Sequence, residues 1–282
     1  MLVYKSKYEL QRELQTLKFQ NKSVGFVPTM GALHEGHLSL VESSLNENDT
    51  TVVSIFVNPT QFDNNADLEH YPTDLAGDIA LLKKSSEAII IFAPDSSEIY
   101  DDEVQSREYD LNGLDQVMEG SFRKGHFEGV ATIVQLLLEA VKPQRAYFGE
   151  KDFQQLQIIR LLVKQLGLNV EIRACPISRE TNGLARSSRN ERLSPLLRNR
   201  AGVIFQTLQT VKKKFGTVNA EELKDWVIKR FDDQEDFELE YFEIADVDTL
   251  TPLTEIKKNL KYRGFIAVYA ESVRLIDNMA LN

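Results

Sequence analysis

The chain has 282 residues, of which 42% are hydrophobic and 27% charged, and its formal net charge is −10 at pH 7. This composition is typical of a globular protein with a sizeable core, so long disordered spans are not expected. The acidic balance argues against a general nucleic-acid binder, although a local basic pocket stays compatible with it.

The length favours a large and a small domain. The single cysteine, Cys175, cannot form an internal disulfide, which suits a reducing compartment. Residues 1–22 are interrupted by charge too often for a signal peptide and predict an amphipathic helix. No apolar run approaches the length of a membrane span. We therefore expect a cytoplasmic protein that binds neither nucleic acid nor membrane.

Short apolar runs in the first part of the chain predict the strands of a parallel sheet covered on both faces. Helical patterns lie between them, including residues 125–142, whose apolar side chains share one helix face. The helical pattern at 152–167 ends at Gly167, a predicted C′ glycine. This alternation predicts a Rossmann-like doubly wound α/β domain. The strand-like runs are 23–28, 50–57, 88–94, 145–149 and 170–175.

The composition of the sequence changes after Cys175. Residues 176–195 are polar, rich in Arg and Ser, and bounded by two prolines, which predicts a loop at a domain boundary. Helical patterns follow at 195–215 and 220–231, and two strand-like runs follow at 237–247 and 264–276. Strands that follow helices without regular alternation predict a smaller α+β domain. We place the two domains at 1–177 and 178–282.

The segment 28–41, PTMGALHEGHLSLV, joins the first predicted strand of the sheet to a helix. It therefore falls at the C-terminal edge of the sheet, where doubly wound folds bind ligands. Gly31 and Gly36 allow the backbone to approach a ligand, and the helix start offers N–H groups and the positive end of a dipole. His34 and His37 fall on the same side of the first turn, and each can donate a hydrogen bond to a phosphate oxygen.

Two other interpretations of the histidine pair stay open on the residues alone. The first is a pair of surface histidines near a helix start. The second is a zinc site, although metalloprotease histidines are four residues apart on a helix, whereas His34 and His37 are three apart with Gly36 between them.

Other polar segments also have ordinary structural interpretations. Asn58 and Gln61 suit a turn, Asp152 suits a helix N-cap beside a solvated Lys151, and His126 suits a helix start. The serines of the segment 185–190, ARSSRN, suit caps of the helix that follows.

The string PTMGALHEGH resembles the His-x-Gly-His signature of a nucleotidyltransferase superfamily that includes class I aminoacyl-tRNA synthetases. At its full length it resembles the family of pantothenate synthetases, the pantoate–β-alanine ligases. The resemblance covers most of the first 195 residues and continues, in order, through VSIFVNPTQF, RKGHFEGVATIV, YFGEKDFQQLQIIRLLV and NGLARSSRNERLS.

The resemblance implies an activity. It is the ATP-dependent condensation of pantoate with β-alanine through a pantoyl-adenylate intermediate, with release of AMP and pyrophosphate, in pantothenate and coenzyme A biosynthesis. It further implies Mg²⁺ as cofactor, a homodimer, and a C-terminal domain that acts as a lid.

The resemblance also implies the site residues. The catalytic donors would be His34, His37, Lys151 and Arg189. Pantoate and β-alanine would contact Gln61, Gln155, Asn58, Arg123 and His126, and Asp78 would hold the metal. The ATP-binding residues would be Met30, Gly31, Ala32, Leu33, His34, Glu35, Gly36, His37, Gly149, Glu150, Lys151, Asp152, Ser178, Arg186, Ser187, Ser188 and Arg189.

The chain departs from the family pattern at a few positions. Arg186 and Ser178 stand where aliphatic residues or Met are usual. Thr73–Asp74 follows a Tyr-Pro pair where Arg and Thr are usual, and Gly77 replaces an acidic residue before Asp78. These departures concern the adenine pocket and the way Mg²⁺ is held.

Three rival functions stay open. Another small nucleotidyltransferase of the superfamily would need a cationic subsite for a phosphorylated substrate. A non-catalytic nucleotide sensor would not require two histidines and Arg189 to converge on phosphate. An aminoacyl-tRNA synthetase fragment is disfavoured by the net charge of −10.

Overall fold

The structure is a computed structural model, and it describes residues 1–62, 68–69, 71–100 and 103–282. These residues form two compact units. The first unit comprises residues 1–150 and 154–176, and the second comprises residues 151–153 and 177–282.

The first unit contains a six-stranded parallel sheet with the strand order β1-β4-β3-β2-β5-β6. Each of the predicted strand runs forms one strand of this sheet, and the predicted Rossmann-like fold is confirmed. The strands are β1 Leu2–Tyr4, β2 Val24–Thr29, β3 Thr50–Ile55, β4 Ile89–Phe92, β5 Arg145–Gly149 and β6 Glu171–Cys175.

Helices separate these strands, and Gly167 ends the last of them as predicted. Gly167 has a φ of +61°, and the N–H of Leu168 donates to the Val163 carbonyl at 3.1 Å, which is a Schellman ending. The helices are α1 Lys7–Phe19, α2 Glu35–Glu47, α3 Leu75–Ser85, α4 Ser96–Ile99, α5 Glu119–Phe122, α6 His126–Val141 and α7 Phe153–Gln165.

The N-terminus differs from the prediction. Residues 1–22 were expected to form one helix, but Leu2–Tyr4 forms the edge strand β1, paired with β4, before α1 begins at Lys7. A three-residue run has no periodicity of its own, so only its pairing partner determines its conformation.

A buried polar network seats α2 on the sheet. The Asn48 side chain donates to the Tyr147 hydroxyl at 2.7 Å and to the Ser44 carbonyl at 2.8 Å. The Ser44 hydroxyl lies 2.7 Å from that of Thr51. A Cβ at Gly25 would overlap Ser44 Oγ and Asn48 Nδ2, so only glycine permits this approach of helix to strand.

The second unit contains a three-stranded antiparallel sheet, in the order β7-β8-β9, and three helices within its described residues. The predicted α+β class of this part is confirmed. Its elements are α8 Pro195–Arg200, α9 Gly202–Lys214, α10 Ala220–Asp232, β7 Phe237–Asp246, β8 Tyr262–Ala270 and β9 Val273–Ala280.

Two predicted elements of this unit are each divided. The helical pattern at 195–215 is two helices separated at Ala201. The strand-like run at 264–276 spans most of β8 and the first residues of β9, joined by a tight turn in which Glu271 has a φ of +53°. Glu-Ser lacks the Asn, Asp or Gly residues that usually mark such a turn, so the sequence did not reveal the hairpin.

None of the helices in the described ranges is long and apolar enough to cross a membrane.

We expect Gly25→Ala to lower the free energy of unfolding by about 1–3 kcal/mol, because the new methyl group must displace buried polar atoms. Gly264→Ala is the control, since a Cβ there meets Leu208 at an ordinary 3.6 Å. Urea unfolding followed by far-ultraviolet circular dichroism measures both variants. Equal stability of the two variants would contradict the proposed packing.

Candidate active site

The first unit has its candidate ligand site where the strand order reverses. Strand β2 lies between β3 and β5, and the chain leaves β2 towards α2. The C-terminal ends of β2 and β5 lead into residues 30–37 and 149–150. Open α/β sheets bind ligands at such a switch point.

Residues 31–33 form a tight loop anchored by one carboxylate. Gly31 has a φ of +82° and Ala32 a φ of +50°, and the left-handed conformation costs an alanine about 1–2 kcal/mol. The Asp78 oxygens accept the N–H groups of Ala32 at 3.1 Å and Leu33 at 2.7 Å. These hydrogen bonds hold the strained backbone in place.

Asp78 is 5% exposed, and burial raises the pKa of its carboxyl, while the hydrogen bonds from Leu33 and Ala32 oppose this shift. The carboxylate already accepts hydrogen bonds from two backbone N–H groups, and the neighbouring Gly77 has no side chain that could bind a metal ion. In the described ranges no group of three or more His, Cys, Asp or Glu side chains is arranged to hold a metal ion. Mg²⁺ that accompanies a nucleotide is usually held by one or two carboxylates together with the substrate phosphates. The metal contact of Asp78 therefore stays a prediction beside its role in the loop.

The departure at Gly77 has a structural explanation. Asp74 is the N-cap of α3, and its carboxylate accepts the Gly77 N–H at 2.9 Å. A Cβ at position 77 would overlap this carboxylate. The capping carboxylate of Asp74 therefore requires a residue without a side chain at position 77.

The two histidines close the first turn of α2. His34 is the N-cap, and its Nδ1 accepts the Gly36 N–H at 3.1 Å. The Nδ1 of His37 accepts the His34 N–H at 3.3 Å, and the two ring centroids are 4.1 Å apart. This is a capping box built from histidines. The predicted placement on one side of the first turn is confirmed.

The capping box fixes which nitrogen of each ring carries the proton. Because each Nδ1 accepts a backbone N–H, the neutral ring carries its hydrogen on Nε2. In their neutral forms His34 and His37 therefore each carry an Nε2–H group that is not part of the cap. The structural interpretation, a capped helix start, and the phosphate-binding interpretation are compatible, since they use different ring nitrogens.

The turn Pro59–Gln61 carries the next predicted residues. Asn58 has no exposed surface. Its amide donates to the Gly129 carbonyl at 3.1 Å and to Gln61 Oε1 at 3.3 Å, and its oxygen accepts the hydroxyls of Tyr100 and Thr60. All its hydrogen-bonding positions are used inside the protein. Asn58 therefore supports the turn from inside the protein, and its contact with a substrate stays a prediction.

His126 supports the same turn. Its Nδ1 lies 2.7 Å from the Gln61 carbonyl oxygen, and its Nε2 lies 3.0 Å from the Arg123 guanidinium. Since a carbonyl only accepts and a guanidinium only donates, the ring is the neutral Nδ1–H form. Both nitrogens have partners inside the protein and His126 is 6% exposed, and its contact with a substrate stays a prediction. Substrate binding by Arg123, which is half-buried, stays a prediction.

Two neighbouring glutamines on α7 have different environments. Gln154 is buried, accepts the Glu119 N–H, and donates to the carbonyls of Leu114 and Val117. Gln155 is half-buried, and its side chain makes no hydrogen bond to the part of the chain that the structure describes. The polar side chain that keeps its hydrogen-bonding capacity is thus the one predicted to bind substrate.

In the second unit, the backbone around Lys151 is held by β8 and β9. Asn278 donates to the Lys151 carbonyl at 2.8 Å, and Arg263 donates to the Asn278 side chain. The Arg263 guanidinium also lies 4.0 Å from the centre of the Phe153 ring, a cation–π contact. The Lys151 side chain is 20% exposed and lies 4.0 Å from the carboxylate of Asp152.

The segment after Pro176 is more ordered than the predicted loop. Arg179 pairs with Ala185 across a tight turn, and the Arg186 N–H donates to the Ser178 carbonyl at 3.0 Å. Ser187 then caps a 3₁₀ turn at Ser188–Arg192 by accepting the Arg189 N–H at 3.2 Å. The predicted ATP-binding side chains at 186–189 are half-buried.

An ion-pair cluster holds this segment. The Glu180 carboxylate accepts two hydrogen bonds from the Arg198 guanidinium, at 3.0 Å each, and one from Asn190 at 2.9 Å. Burial alone would raise the pKa of Glu180, but the hydrogen bonds from Arg198 and Asn190 outweigh it and the pKa is lowered. The ionised carboxylate is therefore the form that stabilises the fold.

The chain is similar to known proteins over its whole length. The sequence model of the Pantoate-beta-alanine ligase family matches residues 2–280. A pantothenate synthetase from Christiangramia forsetii is 53% identical over 282 residues, which is 100% of each chain. A crystal structure of pantothenate synthetase from Thermus thermophilus has a TM-score of 0.90 and 39% identity, covering 100% of this chain and 99% of that one.

A further solved structure of a similar protein is a complex with ligands. It is the pantoate-beta-alanine ligase from Francisella tularensis complexed with beta-gamma ATP and beta-alanine. Its TM-score is 0.80 and its identity 34%, covering 100% of this chain and 98% of that one.

The fold and the switch-point loop define a Rossmann-like α/β protein with a histidine-capped helix at the edge of its sheet. The chain belongs to the pantoate-beta-alanine ligase family. The family resemblance predicted from the sequence motifs is confirmed, and with it the prediction that the chain is an enzyme of this class.

The lowered pKa of Glu180 predicts a pH-dependent loss of stability. At pH 7 we expect Glu180→Gln to lower the free energy of unfolding by about 1–3 kcal/mol, because charged hydrogen bonds are lost. Since the pKa is lowered from 4.5, this difference from the parent is present above pH 4.5 and disappears as the pH falls through the lowered value. Fluorescence of Trp226, on α10 in the same unit, follows the unfolding.

The control is Glu191→Gln, which removes an exposed partner of Arg198 and should change stability little. A difference between Glu180→Gln and the parent that persisted unchanged at pH 3 would contradict the assignment.

Proposed function

We propose that the chain joins pantoate to β-alanine in an ATP-dependent reaction with a pantoyl-adenylate intermediate. A carboxylate is a poor acyl donor because its leaving group would be oxide. The pantoate carboxylate therefore attacks the α-phosphorus of ATP and expels pyrophosphate. The amine of β-alanine then attacks the activated carbonyl and expels AMP.

The observation that carries this proposal is the histidine capping box at the switch point. It presents two Nε2–H donors beside a helix N-terminus, in a loop whose glycine lets the backbone approach a ligand. A helix start with added donors suits phosphate, whose charge shifts as the phosphorus–oxygen bond breaks. The Francisella tularensis family member, described with beta-gamma ATP and beta-alanine, supports the choice of nucleotide and amine.

In the first half-reaction the protein positions the reactants and stabilises charge. His34 and His37 are the proposed donors from the first unit, and Lys151 and Arg189 are those from the second. In this proposal residues 1–177 form the catalytic domain and residues 178–282 form a lid domain. The other proposed ATP contacts are residues 30–33, 35–36, 149–150, Asp152, Ser178 and 186–188.

Pantoate is proposed to bind Gln61 and Gln155. Both are neutral amides, which suit the hydroxyl groups and carboxylate of a polyol-like acid without altering its charge. We assign no general base to the second half-reaction, since orientation of a neutral amine beside an activated acyl group can contribute about 7–11 kcal/mol. The charge on ATP makes Mg²⁺ the expected companion of the nucleotide, and Asp78 is its predicted protein ligand. The homodimer and the cytoplasmic location stay predictions.

Pyrophosphate exchange into ATP, with purified protein and Mg²⁺, tests the proposal. We expect exchange that requires pantoate and does not require β-alanine, because the adenylate forms before the amine reacts. Other acids and amines, tested in place of pantoate and β-alanine, are the control for substrate selectivity. Bound ATP without pantoate-dependent exchange would favour a nucleotide sensor or another nucleotidyltransferase.

We expect His37→Asn to lower the rate of pantoate-dependent exchange by about 10²–10³, the usual loss for one donor to a developing negative charge. The Asn oxygen takes the place of Nδ1 and keeps the cap, whereas the Nε2–H donor is gone. Thermal unfolding should therefore stay close to that of the parent. His37→Ala, which loses cap and donor, separates the two contributions. Activity of His37→Asn within a few-fold of the parent would remove His37 from the mechanism.

A further inference from the structure

We propose that Tyr100 is a positioning residue for this reaction. Through Asn58, it fixes the side-chain amide of Gln61 so that its N–H groups face the acid substrate. The inference rests on the proposed function and deepens it, because it specifies how the predicted pantoate contact is oriented and which residue outside the sequence motifs orients it.

The orientation starts from a backbone carbonyl. The Gly129 carbonyl can only accept a hydrogen bond, so the Asn58 atom 3.1 Å away must be the amide nitrogen. The two ends of an amide are otherwise easily exchanged. Here the Gly129 carbonyl, on helix α6, determines which way the Asn58 amide points.

The other end of the Asn58 amide meets two hydroxyls. Tyr100 donates to Asn58 Oδ1 at 2.5 Å, and Thr60 donates to the same oxygen at 3.2 Å. The hydroxyls of Tyr100 and Thr60 are themselves 3.2 Å apart. Tyr100 is 5% exposed, and burial raises the pKa of its hydroxyl, so it stays protonated and remains a donor at physiological pH.

The orientation of Asn58 then determines that of Gln61. The second N–H of Asn58 donates to Gln61 Oε1 at 3.3 Å, so the oxygen of Gln61 faces the buried network. Gln61 Nε2 lies on the opposite side, 2.7 Å from Met30 Sδ. A thioether is a weak acceptor, and an oxygen of the substrate that replaced it would form a stronger hydrogen bond. Gln61 is therefore arranged to donate to the acid.

The backbone of Gln61 is fixed independently of its side chain. A Cβ at Gly129 would overlap the Thr60 carbonyl, so the glycine allows the turn to pack directly on α6. The Nδ1–H of His126 donates to the Gln61 carbonyl at 2.7 Å. Because the main chain is held in this way, loss of the Tyr100 hydroxyl should release the side-chain amide without displacing the turn.

The test is a double-mutant cycle with Tyr100→Phe and Gln61→Ala, read as pantoate-dependent pyrophosphate exchange. We expect Tyr100→Phe to raise the KM for pantoate about fivefold, the equivalent of one net hydrogen bond, and to leave the KM for ATP unchanged. Gln61→Ala should raise the KM for pantoate further. Adding Tyr100→Phe to Gln61→Ala should then have no additional effect, because Tyr100 acts through Gln61.

Tyr109→Phe is the matched control. Tyr109 is also a tyrosine of the first unit whose hydroxyl donates to a glutamine, Gln135, at 2.7 Å. We expect it to leave both KM values unchanged. A merely structural role for Tyr100 would change the KM values for pantoate and ATP together, and the effects of Tyr100→Phe and Gln61→Ala would then be additive.

Gln61→Glu tests the direction of the hydrogen bond. The glutamate keeps an oxygen for Asn58 but has no N–H for the substrate, so we expect a loss at least as large as that of Gln61→Ala. Pantoate use within twofold of the parent would overturn the assigned orientation. Suppose that the parent protein shows pantoate-dependent exchange while the effect of Tyr100→Phe adds to that of Gln61→Ala or changes both KM values. In that case the role of Tyr100 is wrong and the proposed function stands. A parent that does not exchange with pantoate overturns the proposed function and this inference with it.

Discussion

The first turn of α2 is closed by two hydrogen bonds from backbone N–H groups to histidine Nδ1 atoms. This constraint determines the protonation pattern of both rings, because a neutral imidazole that accepts at Nδ1 must carry its proton at Nε2. A Ser or Asp at the N-cap would satisfy the same backbone groups. It would not add the Nε2–H group that each neutral histidine ring carries besides its capping nitrogen. The choice of histidine therefore links the stability of the helix to the chemistry that the sheet edge offers.

The same loop carries a second constraint, supplied by a buried carboxylate. Asp78 satisfies two consecutive amides at the point where Ala32 adopts a left-handed conformation. Without these hydrogen bonds nothing would offset the strain of the left-handed residue, and the two N–H groups would lose their acceptor. The turn at Pro59–Gln61 is built on a different principle. It uses neutral amides, hydroxyls and one neutral imidazole, and the Arg123 guanidinium contacts the far nitrogen of that imidazole.

Much of the first unit could be predicted from the sequence, because its signals are local. The apolar strand runs, the amphipathic pattern of α6 and the glycine that ends α7 each determine their own conformation. The histidine spacing likewise predicts a shared helix face. The edge strand β1 and the β8–β9 hairpin escaped prediction, since a three-residue run and a Glu-Ser turn acquire their conformation only from their strand partners.

The roles of polar side chains at the site are difficult to assign from the sequence for one physical reason. Asn58 and His126 carry functional-looking side chains beside a motif, so the sequence suggests that they contact a substrate. Whether a polar side chain contacts a ligand depends on how many of its hydrogen bonds the protein already uses, and this is a property of the folded network. Tyr100 was missed for the converse reason. It lies 42 residues from Asn58 along the chain, and nothing in its local sequence distinguishes it from an ordinary core tyrosine.

The departures from the family pattern show why single positions are difficult to interpret. Gly77 alone suggests the loss of an acidic ligand. Together with Asp74, whose capping carboxylate occupies the space of a side chain at 77, it is a change in how α3 begins. Asp78, one residue further, keeps its bonds to the loop at 31–33. The substitution therefore lies within the first turn of a helix, and the loop that carries the histidines has its hydrogen bonds to Asp78 beside it.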